Sequence, residues 1–337
     1  MLFGLIPQSF DNTRKVEAFE KWIGHQPAVL SIFVNLFMNR SEIDRFMREV
    51  TAIWQSGHVP MVILQPMFES VDTTSPTIER QIANGKYDKT LSNWTESLVA
   101  WLRLNDPTTA DRRIYINFAP EMNGDWIPWG VERNKTSPED FIRMWHRVHD
   151  HIMGGEVDHH HVQWVWAPNI VSGESYPAES FYPGDEYVDW IGIHGYNWGD
   201  SQSWSEWRTP KRTYRPTIER VRDIADKPLA LTEFGSSSRF DDAFHPEKKA
   251  DWIEASFQLI RENDIRMACW FNVEKETDWA IFGGSRGTDT FEYLNSTYNV
   301  YSEYKDAVIR GGALPSRSEH PRRLSTDEFE GTLEPSG

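Results

Sequence analysis

Short apolar runs alternate along most of the chain with longer segments whose apolar residues recur every three or four positions. The runs fall at Leu2–Ile6, Ala28–Val34, Val59–Gln65, Ile114–Phe118, Val162–Ala167, Trp190–His194, Leu229–Thr232 and Met267–Phe271. Each is apolar almost throughout and bounded by turn residues, which marks strands covered on both faces. Ser41, with Asp44 three positions on and Gly57 beyond, predicts one helix between them. Ser137-Pro138-Glu139-Asp140 predicts another, with a cap, a proline at the first position and acids at the positive end of the dipole. Further helices are expected at about Asp88–Trp101, Pro216–Ile224, Pro246–Glu262 and Thr290–Arg310.

Eight strands alternating with helices predict an α/β fold, a (β/α)8 TIM barrel in a single domain over residues 1–310. An open doubly wound sheet fits less well, because no glycine-rich fingerprint follows the first strand. Residues 311–337 are polar, rich in Pro, Gly and Ser, and without periodicity, so a loosely held C-terminal tail is expected there.

Charge then narrows the partners. A net charge of −16 argues against nucleic acid and against anionic lipid, both of which are bound by clustered Lys and Arg. No apolar run approaches the ~20 residues of a membrane span. The N-terminus has no basic region followed by an apolar one of signal-peptide length. A chain made without an export signal and an exported, trimmed chain both remain open. Cys269 is the only cysteine, so no internal disulfide forms, and a buried thiol is expected. A monomer is expected.

Aromatic residues make up 13% of the chain and include sixteen tryptophans, which implies a deep core, a ligand platform or both. In a βα barrel, chemistry sits where strands end at the C-terminal face. Glu121, in "NFAPEMNGDWIPWG", lies just past the fourth run, and Glu233, in "LALTEFGSSS", at the end of the seventh. Two carboxylates meeting across that mouth are what glycoside hydrolysis needs, one protonated for the leaving oxygen and one ionised to attack the anomeric carbon. Trp126 and Trp129 follow Glu121 in one loop and suit the apolar faces of sugar rings. Trp198, Trp204 and Trp207 mark a second aromatic loop, whereas Trp164 and Trp166 share one strand face and read as packing. Asn123 and Asn169 suit either a sugar hydroxyl or a cap on their own turns. His194 suits either the cleft or a core contact. "DHHH" at 158–161 reads as a solvated loop, and Glu274, Glu276 and Asp278 as rim acids.

"FAPEMNGDWIPWG" resembles the acid/base segment of glycoside hydrolase family 26, retaining β-mannanases of the clan A barrels among them. "WVWAPN", "VDWIGIHGYNWG", "LALTEFGSS" and "WFNVEKETDW" resemble that family's later strand segments in the same order. The similarity spans roughly residues 1–305. By this resemblance Glu121 is the acid/base, Glu233 the nucleophile, Tyr196 the phenol that orients the nucleophile, and Trp270 the floor of the cleaved sugar's subsite. No cofactor and no metal are implied. The family commonly carries histidine before the acid/base, where this chain has Pro120, and that departure loosens the tie to mannan. The implied function is a retaining endo-β-glycoside hydrolase cutting a β-linked polysaccharide, β-1,4-mannan first. A mixed-linkage β-glucanase or an exopolysaccharide-processing hydrolase or transglycosylase comes next. A non-catalytic glycan-binding barrel is the rival of another class.

Overall fold

The computed structural model describes residues 1–8, 13–70, 72–103, 112–154, 157–171, 175–312 and 324–332. Its strands are β1 (Leu2–Pro7), β2 (Val29–Asn35), β3 (Val59–Gln65), β4 (Ile114–Phe118), β5 (Val162–Trp166), β6 (Trp190–Asn197) and β7 (Leu229–Ser236). A hairpin of β8 (Arg239–Phe240) and β9 (Ala243–Phe244) precedes β10 (Ile265–Asn272). The eight runs read from the sequence close into a parallel barrel in the order β1-β10-β7-β6-β5-β4-β3-β2, with β1 pairing β2 to complete the ring. Inside it, residues must be small where strands crowd. A Cβ on Gly4 would stand 2.5 Å from Cys269 Sγ, so glycine there makes room for the buried thiol.

The helices around the ring are α1 (Thr13–Ile23), α2 (Arg40–Gln55), α3 (Ile78–Ala83), α4 (Asp88–Leu102), α5 (Pro138–Ile152), α6 (Pro210–Arg222) and α7 (Pro246–Glu262). Helix α5 starts as expected: Ser137 and Asp140 form a reciprocal capping box with Pro138 in the first turn. Helix α2 starts earlier than its Ser41 signal, because Asn39 and Glu42 form the box instead. Helix α6 begins at Pro210 behind a Thr209 cap, not at Pro216, which lies inside the helix on its exposed face.

The expected helix at Thr290–Arg310 is corrected over its first half. After β11 (Phe282–Gly284), strands β12 (Asp289–Tyr293) and β13 (Ser296–Val300) form a hairpin, and only α8 (Ser302–Arg310) is helical. Leu294 and Asn295 both take positive φ, 45° and 62°, as a two-residue primed turn requires.

The tail expectation is corrected for residues 324–332. Helix α9 (Thr326–Glu330) carries a Ser325–Glu328 capping box and lies across the N-terminal mouth of the barrel. Leu324 and Phe329 are buried there. Tyr115 Oη and Trp190 Nε1 both donate to the Phe329 carbonyl, at 3.0 and 3.2 Å, and Arg113 donates to the Leu324 carbonyl and Thr326 Oγ1. The rest of the tail, 313–323 and 333–337, lies outside the described residues.

Candidate active site

Beyond β4 the chain turns sharply. Ala119 and Glu121 take φ of 45° and 61°, a left-handed backbone that costs non-glycine residues about 1 kcal/mol or more each. Hydrogen bonds hold them: Ala119 N donates to Leu64 O at 2.9 Å and Glu121 N to Ala167 O at 2.8 Å. Trp129 Nε1 donates to the Pro120 carbonyl at 2.7 Å. The strained turn aims the Glu121 carboxylate over the barrel axis.

A second local feature supplies the opposing acid. The β6–β7 register runs Ile193↔Leu231 and then His194↔Glu233, so the ladder slips by one residue at Thr232. His194 and Glu233 thereby become direct neighbours. One ligand-type atom from each of Glu121, His194 and Glu233 lies within 4.8 Å of the other two. His194 Nδ1 is 3.1 Å from Glu121 Oε1 and 3.8 Å from Glu233 Oε2.

Each carboxylate also has donors of its own. Trp126 Nε1 donates to Glu121 Oε2 at 2.6 Å, and the Asn169 side chain adds another hydrogen bond. Tyr196 Oη donates to Glu233 Oε1. Glu233 Oε2 has no hydrogen-bond partner among the described residues. Burial pushes the Glu121 carboxyl up, but the His194, Trp126 and Asn169 donors outweigh it and leave the group below the usual carboxylate range. Burial, and then the charge of Glu121, hold the Glu233 carboxyl above that range despite His194 and Tyr196. Burial beside two acids pushes the Tyr196 phenol far up, so it remains a donor. Burial also works against a charge on His194, yet Glu233 and Glu121 outweigh it and raise the ring's pKa.

A cleft of about 410 Å³ opens above these groups, lined by Glu121, His194, Glu233, Trp129, Phe271 and Lys275 among others. Phe33 and Gln65 line it and also a neighbouring cavity of about 710 Å³, so the two spaces adjoin. Phe33 is the exposed position of an otherwise covered β2, 41% accessible.

The structure brings Glu121, Glu233, Tyr196, His194 and Asn169 together, with Trp126 and Trp129 beside them. It does not place Trp270 on the floor. That ring is fully buried, packs outward on Phe234, Trp252 and Tyr304, and donates to the Trp279 carbonyl. Phe271, one residue on, faces the cleft instead. Asn123 is likewise buried away from sugar: its amide donates to the Asn169 and Val171 carbonyls and accepts from Asn169 N, so it ties two loops together. Trp198 packs edge-on against Trp204 and Trp279 beside Tyr196. Asp278 is a buried strut, accepting from Ser237 and Ser238. Nearby, buried Lys249 donates to the carbonyls of Asp278, Trp279 and Ala280, and burial draws its pKa down to about 8. The loop behind Tyr196 is thus pinned from below. Sequence reasoning missed Phe33, Gln65, Phe271 and Lys275, which share one legible signal: each stands within three residues of a strand's C-terminal end.

With this geometry in place, comparison with known proteins is decisive. The family model described as glycosyl hydrolase family 26 matches residues 48–225. The chain belongs to glycosyl hydrolase family 26. Endoglucanase H of Acetivibrio thermocellus is 27% identical over 94% of this chain, which spans 33% of that protein. A mannan endo-1,4-beta-mannosidase of Bifidobacterium adolescentis is 28% identical over 67% of the chain and 22% of its own length. The chain therefore spans a third or less of these two curated relatives. Among solved structures, the catalytic domain of the Bacillus sp. JAMB-750 GH26 endo-beta-1,4-mannanase superposes with a TM-score of 0.64 at 18% identity, covering 94% of this chain and 87% of that one. The GH26 beta-mannanase BoMan26A of Bacteroides ovatus gives 0.63 at 17%, covering 94% and 90%. These distant matches share the family 26 barrel.

Proposed function

We propose that this family 26 barrel is a retaining endo-β-glycoside hydrolase acting on a β-linked polysaccharide, with Glu121 as acid/base, Glu233 as nucleophile and Tyr196 orienting the nucleophile. The observation that carries the reading is the closeness of the two acids. Carboxyl groups ~5–5.5 Å apart serve double displacement, whereas ~6.5–9.5 Å leaves room for a water and gives inversion. Glu121 and Glu233 present atoms within 4.8 Å of one another, which supports the first.

In this reading Glu233 Oε2, which has no hydrogen-bond partner among the described residues, bonds to the anomeric carbon while Glu121 gives its proton to the departing glycosidic oxygen. Glu121, now ionised, takes a proton from water as that water's oxygen displaces Glu233 and releases the sugar. The donors that hold Glu121 low and the burial that holds Glu233 high oppose these roles, so the sugar must displace a donor such as Trp126 from Glu121 before that acid carries its proton. The adjoining cavity beyond Phe33 gives a polymer room past the cleaved bond, which supports internal attack. The matched relatives named as mannanases make β-1,4-mannan the first candidate.

A β-glucan is the second reading. It is favoured by Pro120 at the position before Glu121 and by the endoglucanase relative, which covers more of the chain than the mannanase does. Incubation with mannans, mixed-linkage and β-1,4-glucans and xylans, followed by sizing of products, decides between them. Internal cleavage of mannan with retention at the new reducing end is expected. Products one sugar shorter, or none from any polymer, would sink the endo reading or the hydrolase reading respectively. Added acceptor oligosaccharides that lengthen instead of remaining inert would indicate transglycosylation.

A further inference from the structure

We infer that His194 is a positioning residue whose Nδ1–H follows the negative charge as it moves between Glu233 and Glu121 in each turnover. The inference rests on the double displacement proposed above. On one side of the ring Asn117 lies 3.1 Å from His194 Nε2; on the other Nδ1 faces carboxylate oxygens, which accept, so a proton is on Nδ1. From there one N–H faces Glu121 Oε1 at 3.1 Å and Glu233 Oε2 at 3.8 Å. The backbone holds the ring in that position: His194 N donates to Pro168 O, Ile170 N donates to His194 O, and the register slip sets Glu233 directly across.

The remaining donors are private. Trp126 and Asn169 serve Glu121, and Tyr196 serves Glu233. Among the described residues, His194 alone has an ion-pair contact with both, at 3.1 and 3.8 Å. Charge balance gives that sharing a purpose. For cleavage Glu233 must hold the negative charge and Glu121 the proton, the reverse of the order that burial and the donors favour in this structure. As the bond from Glu233 Oε2 to the anomeric carbon forms, the leaving oxygen takes the proton, so the charge vanishes from Glu233 and appears on Glu121. Hydrolysis reverses both changes. The pair carries one negative charge at either end of each step, and a donor fixed on one acid alone would favour one end at the other's expense. A donor between them favours both, and most of all the point at which the charge is divided.

The Asn117 amide adds a reserve. Its Oδ1 is buried without a partner among the described residues. Turned end for end, the amide would present that oxygen to Nε2 and let the ring carry a second proton when both acids are ionised. Glu121 and Glu233 are the charged groups that face the ring among the described residues.

The test compares His194→Phe, which keeps a ring and removes the donor, with His194→Asn, whose amide branches from Cγ as Nδ1 does and keeps a donor there. The pH dependence of kcat/KM is measured on a polysaccharide that the wild type cleaves. Losing a donor to the charged form raises each ionisation of the pair, so His194→Phe is expected to move both limbs of the bell to higher pH by about one unit. Its kcat is expected to fall by about 10²-fold. His194→Asn is expected to restore most of the rate and the bell's position. A His194→Phe bell that is lower but unmoved overturns the inference, because a merely structural histidine lowers the height alone. Where His194→Phe does not fold, His194→Leu, which also lacks a donor, carries the same test and the same two outcomes. Wild-type protein inactive on every β-linked polymer would sink the hydrolase reading itself. Wild-type hydrolysis with an unmoved bell sinks only the role of His194.

Discussion

At the N-terminal mouth of the barrel, α9 offers the Phe329 carbonyl to Tyr115 and Trp190, Leu324 just before it offers its own to Arg113, the helix start is capped by its own side chains, and the Phe329 ring is buried. At the C-terminal mouth, two non-glycine residues hold left-handed backbones, two acids and a histidine crowd together, and oxygens of Glu233 and Asn117 have no hydrogen-bond partner among the described residues. The same eight strands end in a satisfied plug below and an unsatisfied cluster above. Strain and unpaired polar groups lower stability, so they persist only where the surrounding structure over-determines them. The contrast teaches where to expect loss of activity and where loss of stability.

Substitutions sharpen it in order of expected effect. Glu233→Ala at the upper mouth should lower the rate on polysaccharide by ~10⁴-fold or more while leaving the melting temperature within a few degrees of wild type. Near-full activity in that variant would remove Glu233 from the chemistry. Glu121→Ala should cost ~10²–10⁴-fold on polysaccharide and far less on aryl glycosides with good leaving groups, which need no proton. Equal losses on both substrates would contradict an acid/base role. Phe329→Ala tests the lower mouth. It empties a buried site worth ~3–5 kcal/mol, so thermal melting should shift down by roughly 5–10 °C with kcat at low temperature nearly unchanged. A rate loss without a melting shift would erase the distinction between the two ends. The smallest effect belongs to Phe33→Ala, which should raise KM for polymer by about 10-fold while short aryl glycosides keep their kcat/KM. If both substrates weaken alike, the adjoining cavity takes no sugar.

Much of this was legible in the chain. The barrel strands announced themselves because each is apolar on both faces, and Glu121 and Glu233 because strand ends are where barrels do chemistry. The same property hid the orientation of Trp270. When the inner and the helix-facing sides are both apolar, alternation does not say which parity looks inward, and the ring turned out to face α7 while Phe271 faces the cleft. The hairpin of β12 and β13 escaped because Leu294 occupies a turn position that asparagine or glycine usually marks. Helix α9 escaped because two apolar residues, Leu324 and Phe329, sit in a polar stretch, although the Ser325–Glu328 box was readable. The register slip at Thr232, which makes His194 and Glu233 neighbours, has no sequence signature of its own.

Helix α9 follows every barrel strand in chain order, with ~50 residues separating it from β10. At ~5–20 residues per second, the ribosome releases the finished ring of strands some seconds ahead of the segment that stops its base. During that interval Tyr115 and Trp190 meet water or chaperones rather than Phe329, and the newborn barrel is least protected from aggregation at the end opposite its catalytic cleft.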